Sequence, residues 1–324
     1  MMSEGRDERI GPLVIAHRGA SGYVPEHTLA AKALAYGFGA DFLEQDVVAT
    51  RDDQLVVLHD IHLDRVTDVV ERFPDRARAD GRWYVRDFDL SELRRLRVFE
   101  RMTESRDATV FPGRYPHRSG DFGIHTLADE IGMVQSLNRA TGARVGIYPE
   151  IKRPGWHRDE GVDLAALLLA ELREHGYGNR ADPVYVQCFD AAETRRVREE
   201  LGSELRLVQL IAENAWQESG TDYDYLRSAA GLTEVAQYAD AVGPWLEQLY
   251  TPPDEVGNPP LSTGLAEAAH GAGLAVHPFT FRADALAPGF GSYTAMVGWF
   301  VDSLAVDGLF TDFTDLTLAA LGRR

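Results

Sequence analysis

A chain of 324 residues, 44% hydrophobic and 10% aromatic, can bury a large core, and its length suits one barrel with insertions as well as two smaller domains. A formal net charge of −18 argues against a nucleic-acid or anionic-membrane binder, because such phosphate surfaces are held by clustered Lys and Arg. The single cysteine, Cys188, excludes an intramolecular disulfide and a metal–thiolate cluster.

Met1 to Gly11 are polar and charged and leave no room for the apolar stretch of a signal peptide before a first strand at Leu13. No transmembrane run follows. The chain as written is therefore expected in the cytoplasm, with a periplasmic or secreted location the alternative if a leader has been removed. Short apolar runs then alternate with segments of helical period, the pattern of a parallel α/β fold. The runs are Leu13 to His17, Phe42 to Val48, Val145 to Ile151, Val184 to Phe189, Leu205 to Ile211, Asp240 to Gly243, Leu274 to Phe281 and Asp307 to Phe310. A further short strand in VVLHD is placed to hairpin back onto LEQD. Thr126 with Asp129 resembles a capping box ahead of a helix that Gly142 can end, and Asp190 with Glu193 repeats the device. From about Ile61 to His125 the periodicity lapses. Phe73, Trp83, Tyr84, Phe88, Phe99, Phe111 and Tyr115 in this stretch favour an ordered cap over a barrel mouth.

Most of the informative polar residues stand at the ends of early strands, where barrel enzymes place their sites. Glu44 and Asp46 are two apart in LEQD, and Glu150 and Lys152 two apart in YPEIK, so each pair shares a strand face. A lone carboxylate would be read as paired with Arg or Lys. Three of them on strands with so few basic residues point to a bound cation, and all-oxygen ligation suits Ca2+ or Mg2+. His17 and His59 lie at strand ends beside this cluster and suit proton transfer near neutral pH. His62, His117, His125, His157, His175 and His270 read as satisfied by local backbone hydrogen bonds, with His27 and His277 intermediate. Arg18 and Lys152 can hold phosphate oxygens or pair with the carboxylates.

HRGASGYVPEHT, LEQDVVATRDDQLVVLHD, YPEIKRP and VDGLFTDFTD together resemble the signature segments of the glycerophosphodiester phosphodiesterases. The likeness runs from about Leu13 to Leu321 and includes insertion segments similar to the long-insert branch typified by bacterial periplasmic enzymes. It implies a single (β/α)8 TIM barrel with a long insertion after the second strand, at about 61–125. It also implies one divalent cation on Glu44, Asp46 and Glu150, catalysis by His17 and His59, and phosphate contacts from Arg18 and Lys152. The sequence has PEHT where many members have PENT, and HPFTFR where many have a WTVN-like strand.

Phe189 and Phe281 are expected to pack the glycerol carbons, and Asp312 and Asp315 to cap the last helix. The implied reaction is hydrolysis of a glycerophosphodiester to glycerol 3-phosphate and an alcohol through a cyclic phosphate. A lysophospholipase D and a non-catalytic phosphodiester-binding protein are the competing readings. Neither nucleic acid nor stable membrane insertion is expected.

Overall fold

The structure, a computed structural model, describes residues 11–253 and 259–323, so the polar stretch read above for a leader lies outside the described residues except for Gly11. Eleven strands are described: β1 Leu13–Ala16, β2 Phe42–Ala49, β3 Leu55–Val57, β4 Gly146–Ile151, β5 Tyr185–Cys188, β6 Arg206–Ile211, β7 Ala241–Pro244, β8 Tyr250–Thr251, β9 Leu261–Ser262, β10 Ala275–Val276 and β11 Gly308–Thr311. Eight run parallel around a nearly closed barrel in the order β10-β7-β6-β5-β4-β2-β1-β11. Backbone bonds complete the turn. Phe310 N–H donates to the Pro278 carbonyl at 3.1 Å and Phe281 N–H to the Phe310 carbonyl at 2.8 Å. All eight expected runs take part, and β3 folds back antiparallel on β2 as VVLHD suggested. Only the seventh run is much shorter than read, because Pro278 removes a ladder donor just beyond Val276.

Every residue of β2 and β4 is buried, as expected for a parallel sheet covered on both faces. Inside the barrel Ile15, Phe42, Tyr148, Val208, Ala241 and Phe310 form a plug, and the larger apolar layer lies between strands and helices. The helices start and stop where local chemistry directs. Thr28 accepts from the Ala31 N–H ahead of helix Leu29–Phe38, and Thr126 and Asp129 form a reciprocal capping box ahead of Leu127–Thr141, which ends on left-handed Gly142. At Asp190 only half the device forms. Its side chain accepts from the Glu193 N–H, while the Glu193 carboxylate turns to Arg158 and Arg196.

The 61–125 segment carries only short helical pieces, Val69–Arg72 and Leu90–Leu93, with two 3-10 turns, yet it is ordered by a core of its own. Trp83, Val85, Phe88, Leu93, Leu96 and Val98 pack with Val48, Val56 and Leu58 of the β2–β3 region. Phe73 meets Phe88 edge to face, with ring centroids 5.2 Å apart.

Candidate active site

The site grows from the pleat of β2. Glu44 and Asp46 point inward at 1% exposure each, while Gln45 between them points outward to Glu130 of helix Leu127–Thr141. The β2–β4 register sets Asp46 beside Glu150. At the end of β1 the chain turns sharply through Arg18 and Gly19, at φ 59 and 88. A Cβ on Gly19 would stand 2.7 Å from the Ala31 carbonyl carbon, so only glycine fits this close approach. The turn aims the Arg18 N–H at Glu44 Oε2, 2.6 Å away, and leaves its guanidinium between Glu26 at 3.0 Å and Asp46 at 3.4 Å. Lys152 Nζ lies 2.7 Å from Glu150 and 3.7 Å from Asp46. His27 Nε2 meets the other Asp46 oxygen at 2.6 Å.

This crowding sets the charge states. Burial, with Asp46 alongside, pushes the Glu44 carboxyl well above its usual range, and burial raises Glu150 to about 8, against the pull of Lys152 and with Asp46 pushing the same way as burial. Burial works against Asp46 too, yet Lys152, His59 and His27 hold it well below the usual carboxylate range. Asp46 Oδ1 is buried without a hydrogen-bond partner. Ligand atoms of His27, Glu44 and Asp46 all lie within 4.8 Å of one another. Carboxylates that cannot all ionise without added positive charge, together with an orphaned buried oxygen, fit a hard cation. His27, intermediate between the catalytic and structural histidines by sequence, belongs to this group, and Glu150 stands next to it, held by Lys152.

Each of the two histidines carries a carboxylate on Nδ1. His17 Nδ1 is 2.6 Å from Asp312, and His59 Nδ1 is 2.5 Å from Asp60. Burial first, then Arg18, lowers His17 to about 4, and burial with Arg18 and Lys152 lowers His59 to about 3. The expectation that Asp312 caps the last helix is corrected. Helix Thr314–Ala320 begins one residue too late for it, with Phe313 at the cap position and no side-chain cap bond. Asp312 instead turns inward at 1% exposure, where Arg114 and Arg282 share its second oxygen at 2.7 and 2.8 Å. Asp315 does lie in the first turn, where its charge suits the helix N-terminus, and accepts from the Tyr23 hydroxyl.

A cavity of about 320 Å³ opens over these groups, lined by His17, His59, Glu44, Asp46, Glu150, Arg18 and Lys152 on one side and by Phe189, Trp216, Trp245 and Phe279 on another. Phe189 lines this cavity, with Lys152 Nζ 5.6 Å from its ring centre. Phe281 does not. It is fully buried against Phe300, with centroids 5.0 Å apart, and Phe279 faces the cavity in its place. The regular strand ends at Val276, so two-residue alternation does not carry through to Phe281. A second hollow of about 280 Å³ adjoins both histidines and is lined by Arg65, Arg101, Phe111 and Arg114 of the 61–125 segment. Sequence reading passed over Asp60, Arg101, Arg114 and Arg282. The adjacency of Asp60 to His59 in HD, and of Asp312 to Thr311 in the terminal TD, was the available signal.

Among the other histidines, His157 and His175 bond to backbone groups as read, whereas His125 and His270 pair with Glu130 and Asp307. No helix among the described residues is long and apolar enough to cross a membrane.

Residues 17–316 match the sequence profile of the glycerophosphoryl diester phosphodiesterase family. A glycerophosphodiester phosphodiesterase of Haemophilus influenzae is 42% identical, over 94% of this chain and 88% of its own. One from Treponema pallidum is 37% identical over 96% and 92%. Among solved structures, a glycerophosphodiester phosphodiesterase from Agrobacterium tumefaciens superposes with a TM-score of 0.61 at 21% identity, covering 95% of this chain and 99% of that one. A phosphodiesterase from Oleispira antarctica, in complex with the product sn-glycerol-3-phosphate, gives 0.64 at 18% identity, covering 96% and 97%.

Proposed function

The chain belongs to the glycerophosphoryl diester phosphodiesterase family and is an enzyme of glycerophosphodiester hydrolysis, and on that footing we propose that it releases glycerol 3-phosphate by two-histidine acid–base catalysis at a cation-binding site. The observation that carries this reading is the convergence of His17 and His59, each on its own carboxylate, on one cavity that also holds Arg18, Lys152 and the three acidic residues.

Glu44, Asp46 and Glu150, with His27 against Asp46, would hold one divalent cation, Ca2+ or Mg2+, which when bound supplies positive charge to the phosphoryl oxygens. Arg18 and Lys152 bind the same oxygens and offset the −18 formal charge of the chain where the anionic substrate must sit. Phe189 packs the glycerol carbons, and Phe279 takes the place first given to Phe281.

The vicinal hydroxyl of the glycerol attacks phosphorus, and its proton passes to His17 Nε2. Burial and Arg18 keep that imidazole neutral at pH 7, as a base requires. His59 protonates the oxygen of the leaving alcohol as its bond to phosphorus breaks. To carry that proton near neutrality His59 needs its pKa raised, and a phosphodiester anion seated between Arg18 and Lys152 cancels the charges that lower it. Water then opens the cyclic phosphate with the roles reversed. The test is release of glycerol 3-phosphate from glycerophosphocholine, glycerophosphoethanolamine and glycerophosphoglycerol. Turnover of at least one is expected, and release from none would overturn the reading.

A further inference from the structure

The acid–base reading leaves the 61–125 segment without a task, yet two of its arginines reach the barrel end and each grips the carboxylate of one histidine. Arg101, only 8% exposed, places Nη1 2.5 Å from Asp60 Oδ2, while Nε and Nη2 hold Glu26 at 3.0 and 2.6 Å. Arg114 places Nη2 2.7 Å from Asp312 Oδ2 and holds Asp284 and the Ser21 carbonyl with its remaining nitrogens. In both cases the arginine takes the carboxylate oxygen that the histidine leaves free, since His59 uses Asp60 Oδ1 and His17 uses Asp312 Oδ1, although on Asp312 Oδ2 Arg114 shares the hold with Arg282 at 2.8 Å.

We propose that Arg101 and Arg114 are positioning residues, through which the insertion fixes Asp60 and Asp312 and so the ring orientation and tautomer of His59 and His17. The inference rests on the two-histidine reading. A carboxylate on Nδ1 keeps the ring proton there and turns Nε2 toward the reacting atoms. Held at one oxygen, an aspartate can swing about its side-chain torsions. Held at both, it cannot move without breaking a charge-assisted bond. Direct substrate contact is the competing use of these guanidinium groups. Each nitrogen of both already donates to a protein oxygen, so a phosphate could take only the N–H groups that these bonds leave over, and the histidine-deleted backgrounds below separate the two uses.

The experiment measures kcat and KM for glycerol 3-phosphate release from glycerophosphocholine by Arg101→Gln, Arg101→Lys and Arg114→Gln. Arg101→Gln is repeated in a His59→Ala background and Arg114→Gln in a His17→Ala background, with melting curves on every variant. Misplacing an acid or base by a fraction of an ångström predicts a loss in kcat of about tenfold or more with KM unchanged. Arg101→Lys keeps the charge but not the fork and should recover only part of it. With the partner histidine absent, each arginine substitution should change kcat by less than about twofold, because the two act as one unit.

Wild-type kcat in Arg101→Gln, or an undiminished loss in the His59→Ala background, overturns the inference. The second result would assign Arg101 to Glu26 and Arg18 or to the fold at large. Should Arg101→Gln not fold, Arg114→Gln with His17→Ala decides by the same criterion. Wild-type turnover in His59→Ala and His17→Ala themselves is a separate outcome that removes the two-histidine reading beneath.

Discussion

Lys32 and Glu130 form an ion pair at 3.0 Å with both side chains at 0% exposure, directly behind the strand that carries Glu44 and Asp46. Lys32 Nζ also donates to the Glu44 carbonyl, and Glu130 accepts from Gln45 at 2.7 Å and His125 at 2.8 Å. Lys32→Met removes the cation and leaves the buried Glu130 carboxylate with only its bonds from Gln45 and His125. Breaking a buried pair from one side costs about 3–5 kcal/mol. The Glu130 pKa gives a second route to the magnitude. Burial pushes it up, but Lys32 and the bonds from His125 and Gln45 bring it from 4.5 down to about 2, which is linked to about 3 kcal/mol of stability. A depressed carboxylate contributes fully above its unfolded value and loses that contribution as pH falls through the folded one. Urea unfolding should therefore show Lys32→Met less stable than wild type by about 3–5 kcal/mol at pH 7, and by less at pH 3. Lys32→Met/Glu130→Gln, which removes the buried charge and keeps an amide oxygen to accept from Gln45, should regain most of the difference. A cost under about 1 kcal/mol at pH 7, the level of an exposed pair, or a gap that widens at pH 3, would refute the reasoning.

His17→Ala and His59→Ala should each lower turnover by about a hundredfold or more while melting like the wild type, since a positioned acid or base contributes on that scale. Steady-state assays check this, and near wild-type turnover in either would return that histidine to a structural role. Bis(p-nitrophenyl) phosphate and a 2-deoxy analogue of glycerophosphocholine should be very poor substrates, because neither offers the tethered hydroxyl whose effective molarity drives the first step. Cleavage of the 2-deoxy compound at the natural rate would instead make water the nucleophile and His17 its base.

Much of the fold was legible because parallel strands buried on both faces write themselves as apolar runs. All eight runs became barrel strands, and the extra strand before His59 paired with β2 as its position suggested. The paired spacing in LEQD and YPEIK likewise placed Glu44, Asp46, Glu150 and Lys152 correctly, because a period of two fixes the face. Prediction failed where that period lapses. Pro278 interrupts the seventh strand, so Phe279 rather than Phe281 reaches the cavity. Asp312, one residue ahead of the helix boundary, could cap or turn inward, and its long-range partners His17, Arg114 and Arg282 decide the matter. Arg101 and Arg114 come from an aperiodic stretch in which nothing local marks the residues that reach the site. Ion pairs between positions 41 or 198 residues apart leave no trace in spacing.

The central claim, that the acidic trio works by holding a cation for an anionic substrate, is tested most directly by stripping the protein with chelator and titrating Ca2+ or Mg2+ back while following glycerol 3-phosphate release from glycerophosphocholine. Turnover should be abolished in the stripped protein and return saturably with the ion, and the Glu44→Ala/Asp46→Ala double variant should not recover at any ion concentration. Full turnover after exhaustive stripping, or in that double variant, would contradict it.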